Sequence, residues 1–244
     1  MEDEYKICDK CGAKLKVLEW RTILGKRFAI VENCTNCMEH DKEIEDNQTT
    51  MLINDLMKES NLQKKFSSIT FESIKSTGFP SESYKDAFDS AFKYCSVIDK
   101  AIDKGWGMYV YGDTGRGKTT IIAAMINDII SKKHSCYINN ITNLKDMIFN
   151  DKSIIYKLIN VDVLFLDDFG TEVYVKGDET DTWTNEKVYE IINARYERQK
   201  PIIFTSNLSP GDLVQKGLLH KTADRISEMS NRKLKIETDK SLRL

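Results

Sequence analysis

Long apolar stretches are missing from this 244-residue sequence, in which no run approaches the roughly eighteen apolar residues that a membrane-spanning helix requires. The acidic start, Met1-Glu2-Asp3-Glu4, lacks the basic and apolar regions of a secretory signal peptide. An excess of one charge is also missing, since 36 Lys and Arg residues nearly balance 38 Asp and Glu residues. This balance argues against a dedicated DNA-coating protein, although a local basic surface is compatible with it. We therefore expect a cytoplasmic protein that makes no membrane contact.

Short apolar runs alternate with segments of helical periodicity from about residue 66 onward. The apolar runs lie at 108–111, 136–138, 161–166 and 202–205, and the helical segments at 118–132 and 186–199. Strands that are apolar throughout, joined by amphipathic helices, are typical of a parallel sheet covered by helices on both faces. The sequence thus predicts one α/β domain over residues 66–244.

Four of the six cysteines lie in two C-x-x-C pairs, Cys8 with Cys11 and Cys34 with Cys37, separated by about 22 residues. This spacing favours a closed tetrahedral zinc site of the ribbon type over a redox pair, with His40 as an alternative ligand. Two short alternating segments, 14–18 and 27–31, predict strands within this module. We predict a zinc-binding module at residues 1–40, a helical linker at 41–65 and the α/β domain at 66–244.

The segment from Gly112 to Thr119 matches the phosphate-loop pattern G-x-x-x-x-G-K-[ST], between a predicted strand and a predicted helix. Backbone N–H groups of such a loop surround phosphate oxygens, and the following helix directs its positive end at the same anion. Lys118 is predicted to reach the β- and γ-phosphates of ATP, and the Thr119 hydroxyl to bind Mg²⁺. The predicted nucleotide-binding residues are Gly112, Asp113, Thr114, Gly115, Arg116, Gly117, Lys118, Thr119 and Thr120.

Two later strands end in polar residues. Asp167 and Asp168 follow the apolar run at 161–166, and Asn207 follows the run at 202–205. Ligands of parallel sheets bind beyond the carboxyl ends of the strands. We therefore predict that Asp167 holds Mg²⁺, that Asp168 orients or deprotonates the attacking water, and that Asn207 bridges this water and the γ-phosphate.

From about residue 66 to the end, the sequence resembles the DnaC/DnaI-type replicative helicase loaders and the related IstB-type transposition ATPases, which belong to the AAA+ superfamily. The matching segments are Tyr109-Val110-Tyr111-Gly112, Leu164-Phe165-Leu166-Asp167-Asp168-Phe169-Gly170, Tyr189-Glu190-Ile191-Ile192-Asn193-Ala194-Arg195-Tyr196 and Thr205-Ser206-Asn207-Leu208.

The resemblance implies roles for three positions, of which Arg225 and Arg243 are new. Asn207 corresponds to the residue that senses the γ-phosphate, and Arg225 to the arginine finger that a subunit supplies to its neighbour's ATP. Arg243, in Ser241-Leu242-Arg243, resembles the second sensor arginine, although Leu242 replaces the family's usual tyrosine. Asp168 stands where most AAA+ proteins have Glu, which implies slow hydrolysis.

The resemblance also implies partners. An amino-terminal zinc module in some loaders precedes the ATPase in the same order, so this module is expected to bind the hexameric replicative helicase. Single-stranded DNA and further copies of the chain are expected to contact the AAA+ domain, with ATP lying between subunits. Two alternatives remain: a transposition helper ATPase that acts on double-stranded DNA, and a zinc-bridged adaptor that binds ATP without significant turnover.

Overall fold

Contacts between residues divide the chain into two units at residues 52 and 53. The computed structural model describes residues 5–23, 26–151, 153–170, 179–238 and 241. The division falls inside the predicted helical linker, and the domain boundaries at residues 40 and 65 stay a prediction. Among the described residues, none of the helices is long and apolar enough to cross a membrane.

The first unit contains a three-stranded antiparallel sheet in the order β1-β2-β3, followed by the start of a long helix. The predicted strand segments at 14–18 and 27–31 lie within β2 and β3. Helix α1 begins between the two cysteines of the second pair and ends in the second unit. The bounds are β1 Tyr5–Ile7, β2 Lys14–Ile23, β3 Lys26–Val31 and α1 Thr35–Glu59.

The second unit is built on a five-stranded parallel sheet with the order β5-β6-β7-β4-β8. Its strands are β4 Gly107–Tyr111, β5 Cys136–Asn140, β6 Val163–Phe169, β7 Ile202–Ser206 and β8 Ser230–Lys235. Its helices are α2 Phe71–Thr77, α3 Glu82–Ser96, α4 Ile98–Asp103, α5 Lys118–Ser131, α6 Ile141–Asn150, α7 Ser153–Asn160, α8 Glu179–Glu197, α9 Pro210–Gln215 and α10 His220–Met229, with a 3₁₀ turn at Lys64–Phe66.

Both faces of this sheet are buried, because successive residues of each strand enter two different cores. Met108 and Val110 of β4 pack in one core, while Tyr109 packs in the other. Phe165 of β6 likewise lies in the first core, and its neighbour Leu164 in the second. This double burial explains why the strands are apolar throughout, and it confirms the predicted α/β sheet covered by helices on both faces.

Strand β6 differs from its predicted bounds in a way that concerns function. The predicted run was 161–166, whereas β6 begins at Val163 and continues through both aspartates to Phe169. Between the paired residues Leu166/Phe204 and Phe169/Ser206, β6 has two residues where β7 has one. This extra residue is a β-bulge, a feature that often redirects side chains beside active sites.

Candidate functional site

The predicted phosphate loop joins β4 to α5 and has the backbone that such a loop requires. Gly112, Gly115 and Gly117 have positive φ angles of 147°, 79° and 78°, which residues with a side chain rarely adopt. A Cβ on Gly112 would lie 2.2 Å from the carbonyl oxygen of Ile236, just after β8. Gly117 is the N-cap of α5, so the positive end of the helix faces the loop. The loop can therefore present backbone N–H groups to an anion.

A cavity of about 600 Å³ lies along this loop. Its lining contains residues 114–120, together with Asp168 and two residues that no motif contains, Lys65 and Phe66. A second cavity, of about 300 Å³, shares Lys65, Phe66, Thr119 and Asp168 and adds Asp167. The two cavities thus bracket the predicted phosphate and Mg²⁺ positions.

Lys118 connects the loop to the end of β7. Its side chain is buried, and Nζ donates to the carbonyl oxygens of Gly112 and Asp113 at 2.8 and 3.0 Å. It also donates to Oδ1 of Asn207 at 2.8 Å. The two predicted phosphate-sensing side chains therefore lie in direct contact, although they are 89 positions apart in the sequence.

Asp167 lies beside Thr119, as a shared Mg²⁺ site requires. The Thr119 hydroxyl is 3.3 and 3.2 Å from the two carboxylate oxygens of Asp167. The hydroxyl of Thr205 donates to the same carboxylate. Burial raises the pKa of Asp167 and the charge of Asp168 adds to this effect, while the two hydroxyls oppose it. A buried cluster of oxygen ligands of this kind fits Mg²⁺.

The β-bulge determines where Asp168 points. Asp168 has a φ angle of 53°, in the left-handed region that aspartate tolerates better than most residues. Its backbone N–H donates to the Thr205 hydroxyl at 3.0 Å. Thr205 thus contacts Asp167 and Asp168 at once, because both oppose it across the bulge. Asp168 borders both cavities as a result.

Arg116 lies at the outer end of the loop. Its Nη1 donates to the hydroxyl of Thr238 at 3.0 Å, and its Nη2 is 3.5 Å from a carboxylate oxygen of Asp113. The segment after β8 therefore borders the loop at Arg116 and at Gly112. Arg243 lies outside the described residues.

Arg225 does not line either nucleotide cavity. It lies on α10, with its guanidinium carbon 4.1 Å from the ring centre of Tyr196 on α8. Its Nη1 is 3.2 Å from a Glu228 carboxylate oxygen, and its Nε is 3.4 Å from Oδ1 of Asn193. The structure thus separates Arg225 from the two phosphate-loop cavities of its own chain, which is compatible with a residue that acts on a neighbour.

The four paired cysteines of the first unit converge. Their Sγ atoms all lie within 4.8 Å of one another, with 3.6 Å between Cys8 and Cys37 and 3.3 Å between Cys11 and Cys34. Zinc–sulfur bonds of about 2.3 Å in a tetrahedron place sulfur atoms about 3.8 Å apart, close to these values. The cluster therefore has the ligand type, number and spacing of a zinc site. The side chain of His40 is outside the described atoms.

The cluster also has unequal thiol acidities. Backbone N–H groups of Lys10 and Cys11 lower the pKa of Cys8 to about 7, whereas the adjacent Cys11 thiol raises the pKa of Cys37. Thiols at this separation cannot all ionise without a cation between them. A divalent metal would replace the shared protons and allow four thiolates to coexist.

Sequence reasoning missed Thr205, Lys65 and Phe66 as site residues. Thr205 opens the matching segment Thr205-Ser206-Asn207-Leu208, and its place at the end of the strand after the aspartates could have identified it as a site residue. Lys65 and Phe66 precede the first predicted strand of the α/β domain by about 40 positions, and no local pattern marks them.

Comparisons with known proteins agree with this geometry. The model of a family described as "Novel STAND NTPase 3" matches residues 95–240. The crystal structure of the DnaC helicase loader superimposes with a TM-score of 0.61 and 23% identity, over 72% of this chain and 100% of that one. The likeness in structure establishes the fold.

Two relatives come from Bacillus subtilis (strain 168). The uncharacterized protein YqaM is 26% identical over 219 residues, which are 87% of this chain and 64% of YqaM. The replicative helicase loader DnaI is 32% identical over 119 residues, which are 45% of this chain and 36% of DnaI. The chain therefore spans less than two thirds of the length of either relative. The match to DnaI confirms the resemblance to DnaC/DnaI-type proteins.

Proposed function

Because the chain belongs to the Novel STAND NTPase 3 family and has the AAA+ fold of the DnaC helicase loader, we propose that it is an ATP-dependent loader of a replicative DNA helicase in the cytoplasm. The observation that carries this proposal is the likeness to the replicative helicase loader DnaI. The fold alone would not identify the function, since P-loop folds serve many reactions.

ATP binding is the first part of the proposal. The triphosphate lies along residues 112–120, where loop N–H groups and the amino end of α5 bind its oxygens. Lys118 exchanges its present contacts with Gly112, Asp113 and Asn207 for the β- and γ-phosphates. Thr119 and Asp167 would hold Mg²⁺, which would supply positive charge against these phosphates.

Hydrolysis is the second part. Asp168 orients or deprotonates the attacking water from its position on the bulge. Asn207 contacts the γ-phosphate once Lys118 has left Asn207 for the phosphates. The bond of the Asp168 N–H to Thr205 fixes the backbone that carries this carboxylate. A short aspartate in this role is expected to give slow turnover that a partner or DNA stimulates.

Assembly is the third part. Arg225 contacts ATP on a neighbouring copy of the chain, and it leaves Glu228 and Tyr196 to do so. An arginine there offsets charge on the transferred phosphoryl group. Arg243 touches the phosphates of its own chain. Single-stranded DNA binds the assembled AAA+ domains, with ATP state controlling the affinity.

The helicase contact is assigned to the amino-terminal module. Residues 1–40 hold zinc through Cys8, Cys11, Cys34 and Cys37 and bind the hexameric helicase. Residues 66–244 form the ATPase, and residues 41–65 link the two parts. The cluster is closed by four sulfur ligands, so its metal is structural and has no position left for catalysis.

The test is a mass measurement on mixtures of the zinc-loaded full-length protein with the host's replicative helicase, with and without ATP. A stoichiometric complex is expected for the wild type, and its loss is expected for Cys34→Ser/Cys37→Ser. The matched control is Cys95→Ser, because Cys95 is a buried thiol of the second unit and not part of the cluster.

The absence of a wild-type complex in both nucleotide states would refute the loader function while leaving the ATPase assignment intact. ATPase stimulation by double-stranded DNA would then indicate a transposition helper. An adaptor would be indicated if Asp168→Asn abolished ATP turnover while the complex persisted and still loaded helicase.

A further inference from the structure

A short turn before the ATPase sheet is held firmly against the nucleotide cavity. This turn, Lys64–Phe66, lies between α1 and α2. Upstream of it, the side-chain amide of Asn61 donates to the carbonyl oxygen of Ile138 on β5 at 2.8 Å. Downstream, the side-chain amide of Asn127 on α5 donates to the carbonyl oxygen of Phe66 at 3.0 Å. The turn is therefore fixed from both sides by elements of the nucleotide-binding sheet.

Lys65 and Phe66 of this turn border both cavities at the site, and Lys65 is the charged residue of the two. Two other cations line the larger cavity, and both are already engaged: Lys118 by three oxygen atoms, and Arg116 by Thr238 and Asp113. Among the described residues, Lys65 has neither an ion pair nor a hydrogen bond from its ammonium group. Its ammonium lies 4.8 Å from the ring centre of Phe66.

We propose that Lys65 binds the phosphate chain of ATP within its own subunit, as a contact outside the phosphate-loop motif. Lys65 shares the lining of the smaller cavity with Thr119 and Asp167, the two residues proposed to hold Mg²⁺, and with Asp168. The two carboxylates there repel a triphosphate, and a lysine in the same lining offsets that repulsion. The flexible stem lets an exposed ammonium reach the anion while the turn itself stays fixed.

The proposal rests on the proposed ATP binding and is independent of the helicase contact. It is tested with the isolated full-length protein, by titrating ATP, ADP and AMP in the presence of Mg²⁺ into the wild type and into Lys65→Ala. The matched control is Lys64→Ala, because Lys64 lies in the same turn and is exposed but lines neither cavity.

We expect Lys65→Ala to weaken ATP binding about tenfold, the factor that corresponds to about 1.4 kcal/mol. The loss should be smaller for ADP and absent for AMP, and it should shrink as ionic strength rises. Lys65→Arg should restore most of the affinity, and Lys64→Ala should stay within twofold of the wild type. The melting temperature without nucleotide should be the same for all four proteins.

Two results would overturn the proposal. An ATP affinity of Lys65→Ala within twofold of that of Lys64→Ala would remove the contact. An equal loss for ATP, ADP and AMP would place the lysine at the α-phosphate, ribose or base and not at the β- and γ-phosphates. Failure of the wild type to bind ATP would refute the proposed ATPase itself, whereas normal nucleotide binding without a helicase complex would refute only the loader function.

Discussion

Replacing Arg195 by methionine should destabilise the second unit strongly, although Arg195 lines neither cavity at the phosphate loop. Its side chain on α8 is fully buried. Nη1 donates to the carbonyl oxygens of Leu158, Ile159 and Val161, and Nη2 to those of Asp162 and Pro201, at 2.8 to 3.1 Å. One guanidinium thus ties the end of α7 to the segments that lead into β6 and β7.

The magnitude follows from the carbonyl groups that would lose their donor. The Pro201 oxygen also accepts from the Leu164 N–H, so four of the five carbonyls depend mainly on Arg195. A buried carbonyl without a donor costs about 1 kcal/mol or more, which sums to about 4 kcal/mol at the lower end. Burial lowers the pKa of Arg195 to about 9, so removing the charge returns part of its desolvation cost and keeps the sum at this lower end.

The assay is urea and thermal unfolding of Arg195→Met against the wild type. A loss of about 4 kcal/mol corresponds to a fall of about 8–16 °C in melting temperature for a chain of this size. Arg198→Met, an exposed residue of the same region, should change stability by less than about 0.5 kcal/mol. A loss below about 1 kcal/mol for Arg195→Met would refute the reasoning, as would a selective loss of ATP affinity at temperatures where the variant is folded.

Three further outcomes are expected. Because burial raises the pKa of Asp167, ionisation of this carboxyl group destabilises the fold as pH rises through that pKa. Asp167→Asn should therefore have a higher melting temperature than the wild type at pH 7 in Mg²⁺-free buffer. The same variant should lose ATPase activity by about 100-fold. Gly112→Ala should lose about 1–3 kcal/mol in urea unfolding and weaken ATP binding, because its Cβ meets the Ile236 carbonyl. Gly211→Ala should do neither, because its Cβ would meet only the Ser209 hydroxyl, at an ordinary contact distance of 3.8 Å. Metal analysis should find one zinc per chain, and Cys34→Ser should lose it and unfold the first unit without lowering the melting temperature of the second.

The sequence predicts a strand well where the strand is buried on both faces. The four apolar runs correspond to β4, β5, β6 and β7 because each contributes to both cores. Strand β8 was not predicted, since its residues, Ser230–Lys235, are mostly exposed and polar at the edge of the sheet. An edge strand of this kind is held by backbone hydrogen bonds to β4, which leave no trace in hydropathy.

The candidate site divides in the same way. The proximity of Lys118, Thr119 and Asp167 could be predicted, because the carboxyl ends of parallel strands share one edge of the sheet. The bulge at Asp167 and Asp168 could not, since it depends on how β6 pairs with β7 and not on its own residues. Lys65 could not be predicted either, because long-range hydrogen bonds to β5 and α5 bring its turn to the cavity.

The contact between Gly112 and Ile236 has a consequence for protein synthesis. Strand β4 carries the phosphate loop, yet it lies inside the sheet only because β8 pairs along its other side. A nascent chain that has emerged as far as β7 holds every residue of the loop but lacks the carbonyl of Ile236 against Gly112 and the hydroxyl of Thr238 against Arg116. The loop acquires this wall last, so we expect it to reach its final geometry only after translation has passed β8.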